Sequence, residues 1–470
     1  MSINHHSRRD FLKLTSRGIS AYTLSNLVNA ASTTSPLTML HHKPRAKSVI
    51  FLYMSGGFSH VDSFDPKPML KQLNGQSMPV PLERTQFDQN GNIMASPWEI
   101  AKYGKSGLEM TNMFPKIAAR ADDLAIIRSM TAKFSEHSQG NFFMHTGFPF
   151  LGYPSAGAWV SYGCGTANPN LPSYIVLRSK NASIPVGGVS IFGNAFLPAT
   201  NQGSIFNISE NQAVPHITPT MLKAEQRRSL DIIGKLDRGF ADRIAAKDAV
   251  MASVANAETA FLMQEAVPEL TDISSESEAT KTLYGIDSKN ENQAEYGRQC
   301  LMARRLVERG VRFVELSCCN EGIGDGNGAN PWDQHRELQR GHGAMAEQID
   351  GPIAALIGDL KTRGMLEETL IVFTGEFGRT PFSQGSNGRD HNPYGFSLWL
   401  AGGGTKGGVA YGDTDELGYR AVTNVSTVYD LWATVLHLLG IDHERLTFRW
   451  SGRDMRLTDV HGNVIHDIIA

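Results

Sequence analysis

The sequence is short of cysteine. It has 4 in 470 residues, none in a CxxC pair, which argues against a disulfide-framed scaffold and a thiolate zinc site. One bridge is still open to it in an oxidising compartment. Cys318 and Cys319 follow an apolar strand and read as buried small residues or bridge partners before they read as nucleophiles. A charge excess is also missing: 44 Lys+Arg stand against 47 Asp+Glu with no basic stripe. That balance speaks against a nucleic-acid partner and against strong attraction to an anionic membrane. No segment combines the length and apolarity of a stable membrane span. Internal repeats and a conventional interdomain linker are absent too. The expectation is therefore one α/β domain over residues 47–470, with a charged, alanine-rich helical insertion at about 219–279.

What the N-terminus does contain is an address. Ser7-Arg8-Arg9-Asp10-Phe11-Leu12-Lys13 precedes a weakly apolar stretch, and Val28-Asn29-Ala30-Ala31 supplies small residues suited to cleavage. Residues 1–31 read as a twin-arginine signal peptide, with the twin-arginine translocase as a transient partner and a periplasmic or extracellular destination. Arg17 and several polar residues make the run too wet to persist as a spanning helix. Cargo of this route folds before export, which suits a protein that takes up a metal first.

Beyond the leader, Ser48 to Met54 is an unbroken apolar run ending in Ser55-Gly56-Gly57, the pattern of a strand buried on both faces. Similar runs occur at Leu124–Ile127, Tyr174–Leu177, Val311–Leu316, Thr369–Phe373 and Phe396–Leu400. Helical patterns lie between several of them. Two are Gln293 to Arg309, stopped by Gly310, and Met345 to Arg363, stopped by Gly364. This alternation predicts a mostly parallel central sheet with helices on both faces, whose ligands bind beyond the carboxyl ends of the strands.

Polar motifs stand where such a sheet would place a site. His60 and Asp62 follow the first strand and point the same way in extended chain, so they are able to share a cation. Asp333 and His335 repeat that spacing after the fourth strand. Thr374-Gly375-Glu376-Phe377-Gly378-Arg379 follows the fifth, and Gly388-Arg389-Asp390-His391-Asn392-Pro393 leads into the sixth. Each pair alone is weak, since an Asp-x-His is often an Asx-turn beside a surface imidazole. Together they offer the oxygen and imidazole ligands that suit a divalent ion, with zinc, manganese and calcium as candidates. Buried carboxylates without a cation would repel one another and protonate. Arg379 offers a planar fork to an anionic substrate, or else braces its loop through backbone carbonyls.

These motifs resemble, as a set, the twin-arginine-exported family called domain of unknown function 1501, and the resemblance covers nearly the whole mature chain. That family is grouped with the alkaline-phosphatase and sulfatase superfamily, which implies an alkaline-phosphatase-like fold and, less directly, two-metal ester chemistry. His391 before Asn392-Pro393 looks like the last metal-binding histidine of cofactor-independent phosphoglycerate mutases. Asp333 and His335 sit where the superfamily places an aspartate and a histidine on one metal, at shorter spacing. Glu376-Phe377 takes the place of an Asp-His pair, and phenylalanine cannot bind a metal. Counting nine residues back from Thr146-Gly147, the sulfatase nucleophile position, reaches His137. The signature directing formylglycine formation is absent. Either Ser138 or Ser135 attacks, or His137 acts as ligand, base or nucleophile while water activated by the cation attacks. A histidine near a helix N-terminus is expected to have its cationic form disfavoured.

The expected function is an exported metal-dependent hydrolase of a phosphate or sulfate ester, acting on a small anionic ester or on an envelope glycan or lipid head group. The alternative is a non-catalytic envelope binding or assembly protein that keeps the fold. A third reading, a hydrogen-bonded structural network, is weakened by the histidine distribution. Of 15 histidines, His60, His137, His335 and His391 all fall in the proposed motifs.

Overall fold

The computed structural model describes residues 40–182, 184–209, 212–244, 247–326 and 328–470; the predicted signal peptide lies outside them. The strands that matter here are β1 (Ser48–Tyr53), β2 (Leu124–Thr131), β3 (Tyr174–Arg178), β4 (Ser204–Asn207), β5 (Phe313–Ser317), β6 (Thr369–Thr374), β7 (Gly378–Gln384), β8 (Gly388–Asn392), β9 (Phe396–Gly402) and β10 (Val409–Tyr411). The central sheet runs β10-β2-β9-β6-β1-β5-β3-β4, and a short strand at Ser426–Thr427 pairs with β2. β1 is parallel to both neighbours, with Tyr53 opposite Ser317 on one side and Thr374 on the other. β9 is antiparallel to β2 and β6, so the sheet is mostly, not wholly, parallel.

The unbroken apolar character of β1 follows from cover on both faces. Ile50 and Leu52 belong to one core cluster, while Val49, Phe51 and Tyr53 belong to the other. The helices are α1 (His137–Thr146), α2 (Ala156–Cys164), α3 (Lys223–Ala241), α4 (Lys247–Thr271), α5 (Glu291–Glu308), α6 (Leu338–Thr362) and α7 (Val428–Leu438). α5 and α6 fill the first face, whereas α1, α2 and α7 fill the second. α3 and α4 lie within the stretch expected as an insertion.

Gly310 and Gly364 take the left-handed backbone just past α5 and α6, with φ of +82° and +69°, as a glycine stop requires. The start of α6 differs from the sequence reading. The helix begins at Leu338 rather than near Met345, running straight through Gly341 and Gly343. Gly341 is there because a side chain would collide with that of Gln334, so contact with the Asp333–His335 loop overrides the helix-breaking tendency of glycine. All four cysteines are free thiols. Cys300 and Cys318 are buried, and burial pushes both thiols well up, to about 12 for Cys318. The bridge left open by the sequence is not formed.

Candidate metal centre

Because β1, β5 and β6 run in parallel, the loops that leave their carboxyl ends emerge on one edge of the sheet. The loop after β5 returns across that edge as Trp332-Asp333-Gln334-His335. It lies between two glycines that permit backbone-to-backbone contact. At Gly56, with φ of +105°, a Cβ would stand 2.7 Å from the Asp333 nitrogen; at Gly388 it would overlap the carbonyl of His335. Gly388→Ala is therefore expected to displace the His335 backbone and weaken cation binding at least about tenfold. A Co²⁺ titration checks this, and an unchanged affinity would mean that the loop yields without moving its side chains.

Four side chains meet over this loop. One donor atom each from His137, Asp333, His335 and His391 lies within 4.8 Å of the others. Asp333 is the hub: Oδ1 is 2.9 Å from His335 Nε2 and 3.2 Å from His391 Nε2, and Oδ2 is 3.2 Å from His137 Nε2. The opposite nitrogen of every ring faces an oxygen. His137 Nδ1 donates to Glu376 Oε1 (2.7 Å), His391 Nδ1 to the Ser135 carbonyl (2.5 Å), and His335 Nδ1 to the Gln384 amide oxygen. These bonds place a proton on each Nδ1 and turn each Nε2 inward, the arrangement that orients histidines around a cation. The buried Nε2 of His137 has no hydrogen-bonding partner of acceptable direction, although Asp333 is near. A cation fits this donor set, since it would satisfy that nitrogen and relieve the crowding of three imidazoles on one carboxylate.

The electrostatics of the metal-free cluster follow from the same contacts. Burial works against the Asp333 carboxylate, but the Arg379 charge and the close rings of His137 and His335 hold it far below the usual carboxylate range. Burial and the Arg379 charge push His391 well down, so its ring is neutral. His137 departs from the sequence expectation. Burial lowers its pKa, yet the negative charges of Asp333, 3.2 Å from Nε2, and of Glu376, bonded to Nδ1, prevail and raise it from 6.5 to about 9. Two carboxylates at contact distance outweigh the dipole of one short helix.

Without metal at neutral pH, His137 therefore carries both protons, and a cation must displace the one on Nε2. This proton stabilises the metal-free fold fully below the unfolded value of 6.5, and the contribution is lost as pH rises through about 9. Cation affinity should accordingly rise by about tenfold per pH unit between pH 7 and 9, then level off. Calorimetry in two buffers of different ionisation enthalpy should register about one proton released per ion at pH 7. A pH-independent affinity would show that Nε2 is already free.

The other residues singled out by the sequence lie in different surroundings. His60 is fully buried, its Nε2 on the Gly418 carbonyl at 2.8 Å. Asp62 forms a two-pronged pair with Arg389, at 2.7 and 3.1 Å, with both side chains inaccessible. Neither belongs to the cluster, so both expectations are corrected: each has a partner inside the protein. Glu376 stands one bond behind the cluster, holding His137 and the Gly56 N–H (2.9 Å). Asp390 accepts N–H groups from His391 (2.7 Å) and Phe87 (3.2 Å), its Oδ1 being 4.0 Å from His335 Nδ1. It shapes the rim and donates nothing inward.

Arg379 is enclosed. Its guanidinium donates to the carbonyls of Gly57 (2.8 Å), Arg389 (3.1 Å), Trp332 (3.3 Å) and Gly56, and to Asp333 Oδ1 (2.7 Å). With 0 % side-chain exposure, it braces the loops and cannot reach an anionic substrate. Ser138 contributes its backbone: the Glu136 carboxylate caps α1 by accepting from Ser138 N and Gln139 N. The Ser135 hydroxyl points to Gln86 (3.3 Å). Phe377 lies against the rings of His391 and His137, with centroids at 4.4 and 5.3 Å. An apolar ring thus borders the cluster on that side.

Sequence reasoning missed Gln384 and Gly388. Gln384 lies between two recognised motifs and Gly388 opens one, but a glutamine in a strand and a glycine at a turn carry no chemical signal by themselves.

These features define a class: a mostly parallel α/β protein that gathers three imidazoles and one carboxylate at its strand ends, in a space fit for one cation. Within that class the chain belongs to the family described as protein of unknown function (DUF1501), whose sequence profile matches residues 46–469. No curated protein matches the chain significantly. Among solved structures, the lipoteichoic acid synthase LtaP from Listeria monocytogenes is similar at 9% identity over 92% of this chain and 80% of its own, with a TM-score of 0.39. The PsFucS1 sulfatase from Pseudoalteromonas sp. is similar at 14% identity over 90% and 71%, with a TM-score of 0.36. The alkaline phosphatase from the Antarctic bacterium TAB5 is similar at 10% identity over 79% and 96%, with a TM-score of 0.32.

Proposed function

We propose that this protein is an exported hydrolase that uses one divalent transition-metal ion on a phosphate or sulfate ester. The observation that carries the reading is the inward convergence of three Nε2 atoms and the Asp333 carboxylate, each imidazole held from behind by an oxygen. His137, Asp333, His335 and His391 would hold the ion. Three imidazoles favour zinc or iron over manganese, and disfavour calcium, which takes six to eight oxygens. The ion would supply Lewis acidity toward an ester oxygen or a water molecule. The chain's own part is to orient the rings through Glu376, Gln384 and Ser135, and to keep Asp333 ionised through Arg379. Ring contacts from Phe87, which lies 4.8 Å from His335 and is 51% exposed, give the rim an apolar edge.

Four protein donors also suit a closed, structural zinc site, and this favours a second reading: an envelope binding or assembly protein without turnover. One experiment separates the two. Full-length protein is purified after export, its metal measured by mass spectrometry, and nitrophenyl phosphates and sulfates are offered with zinc, manganese or calcium. Close to one equivalent of a transition metal and turnover of some ester support the hydrolase. One equivalent that resists chelators, with the whole panel inert, supports the structural site. Protein that takes no metal and turns over nothing overturns the hydrolase and leaves a binding role without a cation.

The export half of the reading has its own test. Replacing Arg8 and Arg9 together by lysine should leave the folded protein in the cytoplasm. Normal export of that variant would remove the twin-arginine translocase as a partner.

A further inference from the structure

A seam of buried polar groups runs from the cluster into the core, along the helix that carries His137. His137, Asn141 and His145 recur at four-residue intervals on α1 and so share one of its faces. Glu376, which accepts the Nδ1–H of His137, has its other oxygen 3.3 Å from the hydroxyl of Tyr53. The one proton of that hydroxyl is shared between Asn141 Oδ1 at 2.5 Å and, over the longer distance, the Glu376 carboxylate. Asn141 is oriented for this by its amide nitrogen, which donates to the Val186 carbonyl at 3.0 Å. One helical turn on, His145 Nδ1 donates to the Asn141 carbonyl and its Nε2 meets Glu315 Oε1, both at 2.8 Å. Tyr174 closes the seam, donating to Glu315 Oε2 at 2.7 Å.

Every member is inside the protein: Tyr53 and Asn141 are 0% exposed, and Glu315, Tyr174, Glu376 and His145 no more than 2%. Glu315 is the least expected of them. It lies in the middle of β5, opposite Phe51 of β1, and two residues from Phe313 on the same core-facing side. A leucine there would fill the space without the cost of desolvating a carboxylate, and apolar replacements of buried ionic groups are often neutral or stabilising. What a leucine lacks is direction. Hydrogen bonds fix the rotation and the axial register of the elements they join, whereas packed methyl groups tolerate sliding. Here the joined elements are β1, β3, β5, the loop after β6, and α1 with its metal-facing first residue.

We propose that Tyr53, Asn141 and the His145–Glu315–Tyr174 group are positioning residues for His137. Tyr53, itself oriented by Asn141, holds Glu376 in the orientation that fixes the His137 ring. Glu315 anchors the far end of α1, so that Nε2 arrives at the cluster in one place. This inference rests on the metal-binding reading, and the test keeps the two apart. Its probe is Co²⁺, titrated into the metal-free full chain while the visible ligand-field bands, the affinity and the melting temperature are followed.

Tyr53→Phe removes one oxygen and keeps the ring stacked on Phe51 at 5.6 Å. It is expected to bind Co²⁺ about tenfold more weakly, the size of effect usual for an outer partner of a ligating histidine. Its bands should shift while its melting temperature stays within a few degrees of wild type. The triple variant Glu315→Leu, His145→Leu and Tyr174→Phe replaces the anchor by apolar bulk. It should melt no lower than wild type, yet show weakened Co²⁺ binding and altered bands. If the triple variant fails to fold, Tyr53→Phe alone decides. Wild-type affinity and bands in Tyr53→Phe overturn the inference while leaving the metal site intact. A wild-type chain that takes up no Co²⁺ overturns the metal reading itself.

Discussion

Asp333→Ala is expected to yield a protein that retains no metal and unfolds about 3–5 kcal/mol more easily, the usual consequence of removing one partner from a buried charged pair. The carboxylate it deletes faces Arg379 at 2.7 Å, His335 at 2.9 Å, and His137 and His391 at 3.2 Å. Arg379 is wholly enclosed and cannot shed its charge. His137, raised to about 9 by its two carboxylates, would lose one of them. Asp333→Asn keeps the shape and some of the hydrogen bonds, so it should cost less stability but still forfeit the ion. Chemical denaturation and metal analysis of the same preparations check both halves.

The pH dependence has a definite sign. The folded pKa of Asp333 lies below its unfolded value. Its contribution is therefore complete above an unfolded pKa of about 3.9 and is lost only as pH falls below that. The gap between wild type and Asp333→Asn should be constant from about pH 5 to 6, close in acid, and change again above about 6.5 as the His137 contribution that Asp333 supports is lost. An alanine variant that kept one equivalent of metal would remove Asp333 from the ligand set.

The fold was legible in the sequence where local pattern and tertiary surroundings agree. The unbroken apolar runs of β1 and β6 announce strands covered on both faces, because no other environment tolerates six consecutive buried residues in extended chain. The first turns of α6 were not legible. Gly341 and Gly343 speak against helix locally, and only the proximity of Gln334 makes the first of them necessary. At the site, His137, Asp333, His335 and His391 were identifiable because each follows or opens an element whose end lies on the ligand-binding edge. The pairings that turn their rings were not, although Glu376 and Ser135 were themselves singled out for other roles. Glu376 and His137 are 239 residues apart, Gln384 and His335 are 49 apart, and Glu315 and His145 are 170 apart. Nothing within a few residues of either member distinguishes such pairs from ordinary strand and helix positions. Glu315 left one faint trace, a carboxylate inside an otherwise apolar strand, which earns attention only when a buried imidazole is known to face it.

Asp62→Ala should destabilise the protein about as strongly as Asp333→Ala, by about 3–5 kcal/mol, and yet leave metal content per folded molecule unchanged. Asp62 and Asp333 are alike in sequence: each lies two residues from a histidine, in the loop that follows an apolar strand. The cation each one meets is what differs. Asp62 receives both prongs of Arg389 and the Ser59 hydroxyl at 2.5 Å, with no accessible surface on either charged group. Arg389 continues to the carbonyls of Thr380 and Met94, both at 3.0 Å, and so ties the loop after β1 to the β7–β8 hairpin. Its charge is permanent, so loss of Asp62 strands a guanidinium in the core. Replacing both partners together, Asp62→Leu with Arg389→Met, should recover most of the lost stability, because no buried charge is then left unpaired. Arg389 lies two residues from His391, so the double variant also asks whether the hairpin can present that imidazole without its tie. Full metal content in Asp62→Ala, with stability restored in the double variant, would assign Asp62 to an internal ion pair. Loss of metal from the folded Asp62→Ala protein would return it to the cation's surroundings.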